Sequence, residues 1–114
     1  MNGYSEFQLV HDSAFDQEKV QEEIKNVCLD IAELLISKNK KYGNSALEPR
    51  RVFSKASPIE QINVRIDDKL SRIANRQSDE DEDEDVEKDL IGYLVLKRVC
   101  INLKKKAEQE VSNA

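Results

Sequence analysis

Ser57-Pro58-Ile59-Glu60-Gln61-Ile62-Asn63-Val64-Arg65-Ile66-Asp67-Asp68-Lys69-Leu70-Ser71-Arg72-Ile73-Ala74-Asn75 is the stretch from which the fold can be read. Ser57 can accept from the amide of Glu60, and the Glu60 side chain can answer the Ser57 backbone. Pro58 occupies the first helical position, where its missing N–H costs nothing. Ile59, Ile62, Ile66, Leu70 and Ile73 then fall on one stripe, so a helix is expected from Pro58 to about Asn75. Upstream, Val20, Ile24, Val27, Cys28, Ile31, Leu34 and Leu35 recur at steps of three and four, which predicts a helix from about Asp16 to Lys40. Tyr42-Gly43-Asn44 supplies its stop, and residues 44–57 carry no period, so a long loop is expected between helices one and two. Downstream, the acidic run Asp79 to Asp85 reads as an exposed connection, and a third helix is expected from about Asp85 to Lys106. It is apolar nearly all round between Leu90 and Leu96 and so wants neighbours on more than one side. The fold class is therefore all-α, three main helices that complete a helical bundle by oligomerisation, with at least two chains. Residues 1–15 and 107–114 read as flexible ends of a single domain over 16–106, with 75–84 as its acidic loop.

Composition agrees with this reading. In 114 residues, 36% are charged and 39% hydrophobic, but only 5% are aromatic and none is Trp, so the core must be aliphatic and modest. Three glycines and two prolines are too few for a turn-rich β chain, and the apolar run at Leu94 to Leu96 is too short to cross a bilayer. MNGYSEFQLV lacks a basic start and an apolar signal segment, so a cytoplasmic protein is expected. Cys28 and Cys100 sit in apolar patterns with no CxxC spacing, and read as reduced core residues rather than a disulfide or metal pair. His11, without a second His or a Cys nearby, reads as a surface residue.

The net charge of −5 is unevenly spread. Residues 1–37 hold 8 acids and 2 bases, 38–76 hold 10 bases and 4 acids, 77–89 hold 9 acids and 1 base, and 90–114 hold 5 bases and 2 acids. An acidic chain is repelled by duplex nucleic acid, whereas the basic middle block suits a small phosphorylated ligand. The same bases could equally be solvated helix faces answering the acidic blocks. No Gly-rich phosphate loop, zinc spacing or nucleophile elbow is present, which removes most enzyme classes. What remains is one flank of helix two carrying Arg65, Asp68, Lys69 and Arg72, and the pair Asp85 and Asp89 one turn apart on helix three. These can form a ladder of ion pairs or a ligand site.

Four ordered motifs bear on that choice: Lys38-Asn39-Lys40-Lys41-Tyr42-Gly43-Asn44-Ser45-Ala46-Leu47, Phe53-Ser54-Lys55, Val64 to Ile73, and Asp89-Leu90-Ile91-Gly92-Tyr93-Leu94. Over about residues 28 to 98 the chain resembles a phage and bacterial family, the nucleotide modification associated domain. That family is similar in turn to the all-α nucleoside triphosphate pyrophosphatases of the MazG type. The resemblance implies a helical, oligomeric, nucleotide-handling protein, in the host cytoplasm if phage-encoded. The MazG-type pattern would place Mg²⁺ between acids of two helices, here Asp68 and Asp89 with Asp85 or Glu84 as the partner of Asp89 at a departing spacing, to position an attacking water. Asp67 and Asp68 fall where paired glutamates are expected, but Ser71 and Arg72 stand in place of the third acid, and Lys41 stands where the family motif carries an acid.

Each departure favours holding phosphate by direct cation contact, through Lys38, Lys41, Arg65, Lys69 and Arg72. Asn39 and Asn44 can hydrogen-bond a base edge or a ribose. Tyr42 and Phe53 can stack on a base, or instead close the first helix and anchor the loop in the core. The expected function is therefore binding of a linear or cyclic nucleotide without turnover. Such a binder needs no cofactor and would act by sequestering a nucleotide second messenger as a phage-type counter-defence. A Mg²⁺-dependent nucleoside triphosphate pyrophosphatase is the alternative.

Overall fold

The computed structural model describes residues 14–76 and 85–114. Among them the chain is all-helical: α1 spans Gln17–Tyr42, α2 spans Pro58–Asn75 and α3 spans Val86–Ser112. His11, most of the N-terminal segment 1–15 and most of the acidic connection 75–84 lie outside the described residues. No helix among those described is long and apolar enough to cross a membrane.

The chain divides into two compact units, residues 1–34 and 35–114, with the boundary inside α1. In the first unit, Lys19 N donates to Asp16 Oδ1 at 2.9 Å, capping α1 at its start. Ile31 is buried, whereas Val20, Ile24, Val27 and Leu29 are exposed. Cys28 is a free and exposed thiol, which corrects its reading as a core residue.

The second unit is built on α2 and α3. Ser57 Oγ accepts from Glu60 N at 3.2 Å, as the capping pattern requires. The reciprocal half of the box differs: the Glu60 carboxylate accepts from Asn63 Nδ2 at 3.3 Å, and Gln61 Nε2 ties the helix start to the Ala56 carbonyl at 2.9 Å. Asp85 caps α3 by accepting from Lys88 N at 2.9 Å. α3 continues through Ser112, past the expected end at Lys106, because Ala107, Glu108, Gln109 and Glu110 contain no helix breaker.

α2 and α3 form an antiparallel hairpin. Arg76 at the end of α2 pairs with Glu87 at the start of α3 at 2.6 Å, while Pro58 and Ile59 line a common cleft with Cys100 and Leu103. Ile62 and Val86 are its fully buried side chains, each stabilising the fold by about 1.5–3 kcal/mol through burial. The inward stripe of α2 departs from expectation in one place. Leu70 is 49% exposed, and the Lys69 side chain, 11% exposed, takes the inward position after Ile59, Ile62 and Ile66. Its methylenes lie along the apolar seam and its ammonium reaches Asp89 of α3 at 3.4 Å.

Gly92 is buried on α3, and a Cβ there would lie 3.4 Å from Leu35 Cδ2. That is an ordinary van der Waals distance, so a methyl group could be accommodated there against the last part of α1. Ile91, Leu94 and Val95 around it remain 40–49% exposed, so the all-round apolar stretch is only partly covered within one chain.

Candidate functional site

The residues 39–48 form a locally over-determined turn. Gly43 adopts φ +69°, a left-handed conformation that a side chain resists, and its N–H still donates to the Asn39 carbonyl at 2.7 Å. Asn39 Nδ2 donates to the Gly43 carbonyl at 3.3 Å and to Asn44 Oδ1 at 2.8 Å. The backbone carbonyl fixes which end of the Asn39 amide is nitrogen, and this in turn fixes Asn44. The oxygen of Asn44 faces Asn39, so its NH₂ is left to donate elsewhere. Leu47 N and Glu48 N then both donate to the Asn44 carbonyl, at 2.9 and 2.7 Å. One tight turn follows, with the Asn44 and Glu48 side chains four residues apart on its surface.

That turn forms one wall of an open cleft of about 490 Å³. Pro58 and Ile59 at the start of α2 form a second wall, and Cys100, Leu103 and Lys104 of α3 a third. Cys100 is a half-buried free thiol, so its environment is the cleft wall rather than a closed core. Leu47, Pro58, Ile59 and Leu103 give an apolar floor, with Asn44, Glu48 and Lys104 as polar groups around it.

Compared with known proteins, the chain matches no family model, no curated protein and no solved structure. The chemistry therefore has to be read from the residues.

Of the expected phosphate ligands, two are already answered by acids. Lys69 pairs with Asp89 across the hairpin, and Arg72 pairs with Asp68 one turn back at 3.4 Å. Arg65 differs: its guanidinium lies 5.9 Å from the Tyr93 ring centroid, a stacking contact that leaves the N–H edges of the fork available. Lys38 and Lys41 are exposed near the end of α1, Lys41 with its ammonium 5.2 Å from the Tyr42 ring centroid. Tyr42 is 62% exposed and Phe53 99% exposed, which corrects the reading of Phe53 as an anchor in the core. Arg51 Nη2 donates to the Lys55 carbonyl at 2.6 Å and Lys55 Nζ to the Arg51 carbonyl at 2.9 Å, and this cross-tie carries Phe53 at its tip.

The expected set thus separates along the hairpin. Asn44 lies at the cleft beside Pro58, whereas Arg72 sits 14 residues, or about 21 Å of helix, further along α2. Arg65 is intermediate. It stands seven residues from Pro58, and Tyr93 stands seven from Cys100, so the Arg65–Tyr93 pair lies two turns, about 10.5 Å, from the cleft wall along both helices.

The three acids expected to hold Mg²⁺ are each placed against a protein partner. Asp68 and Asp89 each face a cation, Asp85 accepts from a backbone amide, and among the described residues no three His, Cys, Asp or Glu side chains gather into a ligand set. The cleft itself, with Glu48, Cys100 and Lys104, was not visible in the sequence as a site. The only signal was the Tyr-Gly-Asn turn, which places Glu48 one turn beyond Asn44.

Proposed function

We propose that this protein binds a phosphorylated nucleotide, as a homo-oligomer of at least two chains, and holds it without turnover. The observation that carries this reading is Arg65: its guanidinium is stacked on Tyr93 and meets no carboxylate among the described residues, while Lys69 and Arg72 beside it are both paired. An exposed guanidinium held over an aromatic ring, with its donor edge open, suits a phosphate group. Lys38 and Lys41 add positive charge at the end of α1, and the exposed Tyr42 and Phe53 rings are available to stack on a base. The commitment of Asp68, Asp85 and Asp89 to protein partners favours binding over metal-assisted hydrolysis. Apolar side chains left open on α1 and α3, such as Ile24, Ile91 and Leu94, support an assembly of several chains. In a cell such a binder would act by sequestration, withdrawing a nucleotide signal from a pathway that depends on it, as a phage counter-defence protein does.

The test is equilibrium binding of a nucleoside mono- and triphosphate panel to the wild-type protein and to Arg65→Ala and Lys41→Ala. Arg65→Ala is expected to weaken binding at least tenfold, in line with loss of a charge-assisted bond, with helicity unchanged. Equal affinity in wild type and both variants would overturn the phosphate assignment.

A further inference from the structure

We propose that the cleft between the 44–48 turn, the start of α2 and the second half of α3 is a base subsite selective for guanine. This rests on the nucleotide-binding reading above and adds to it the identity of the base. The polar groups of the cleft have a defined sense. Glu48 lines the cleft with an exposed carboxylate, whose two acceptor oxygens can take two adjacent donors. Among the common bases only guanine places two donors side by side, N1–H and the N2 amino group. Adenine and cytosine set an acceptor beside their amino donor, and uracil flanks one donor with two acceptors. An unpaired acceptor against Glu48 is repelled, which turns the carboxylate into a filter as well as a ligand.

The remaining edge of guanine carries the acceptors O6 and N7. The cleft supplies donors for them. The Asn39 amide holds the oxygen of Asn44 at 2.8 Å, so the Asn44 NH₂ is the end left to donate. Lys104 of α3 lines the same cleft, and its flexible side chain carries an ammonium donor. Leu47, Pro58 and Leu103 supply apolar surface for the faces of the ring, and about 490 Å³ is room for a base with its sugar. The spacing extends the match: Arg65 lies about 10.5 Å from the cleft wall along α2, a distance that the sugar and phosphates of one nucleotide can cover.

The experiment is equilibrium dialysis of the full chain with GMP, IMP, AMP and UMP, on wild type and on Glu48→Gln. Wild type is expected to hold GMP about tenfold more tightly than IMP, which lacks only the N2 amino group, and to bind AMP and UMP more weakly still. Glu48→Gln, an exposed and nearly isosteric change, is expected to erase most of the GMP preference over IMP while leaving the circular dichroism spectrum unchanged. Equal affinity for all four nucleotides, or an unaltered GMP-to-IMP ratio in Glu48→Gln, overturns the guanine assignment and leaves nucleotide binding standing. Failure to bind any of the four by the wild type, together with triphosphates and cyclic nucleotides, overturns both.

Discussion

Replacing Lys69 by Met tests how the hairpin is held. Met keeps the unbranched stem that lies along the α2–α3 seam and removes the ammonium 3.4 Å from Asp89 Oδ2. At that distance the Coulomb attraction is about 5 kcal/mol with an effective dielectric constant near 20, before any desolvation is counted. Lys69 is 11% and Asp89 30% exposed at the side chain, so both ends lose hydration and Asp89 stays partly screened. The net contribution falls to about 1–2 kcal/mol. Lys69→Met is therefore expected to destabilise the protein by about 1–2 kcal/mol, because it leaves a half-buried carboxylate without its counter-ion. Asp89→Leu should cost a similar amount. The double variant should recover about 1 kcal/mol relative to the sum of the two. Urea unfolding followed by circular dichroism at 222 nm, at one fixed protein concentration, measures all four corners of the cycle. A coupling within about 0.3 kcal/mol of zero would refute the Lys69–Asp89 pair as a stabilising contact.

Three further substitutions, at two positions, probe local features of the same unit. Ser57→Ala removes the acceptor of the Glu60 amide and should cost about 1 kcal/mol in urea unfolding, less than a core truncation because Gln61 still ties the helix start to Ala56. Gly92→Ala should be neutral or stabilise by up to about 1 kcal/mol, since helix propensity favours Ala and the nearest atom, Leu35 Cδ2 at 3.4 Å, belongs to a flexible side chain. Gly92→Leu should be strongly destabilising by the same measurement, because its side chain would enter the space that Leu35 occupies.

The helices were legible because their signals are local. Ser57, Pro58 and the isoleucine spacing define the bounds of α2, and Asp85 starts α3 for the reason that carboxylates favour a helix N-terminus. Lys69 was not legible as an inward residue, since its place on the seam depends on Asp89 lying opposite, a fact of the antiparallel pairing and not of either helix. The same pairing sets the Lys69 ammonium against a carboxylate of α3. Asn39 and Asn44 were singled out, but their donor and acceptor ends became assignable only through the Gly43 carbonyl. The cleft was hidden for the same reason: Glu48, Pro58 and Lys104 are far apart in sequence and meet only once the hairpin closes. Phe53 shows the opposite failure, an aromatic residue whose hydrophobicity suggested burial and whose position at a cross-tied loop tip leaves it open.

The most direct test of nucleotide holding without turnover is to incubate the purified protein with Mg²⁺ and a mixture of linear and cyclic nucleotides. Each nucleotide is then quantified by mass spectrometry, free in solution and again after heat denaturation. Depletion of one free nucleotide that returns intact on heating is the expected result. Its conversion to a monophosphate and pyrophosphate, unrecovered on denaturation, would contradict it.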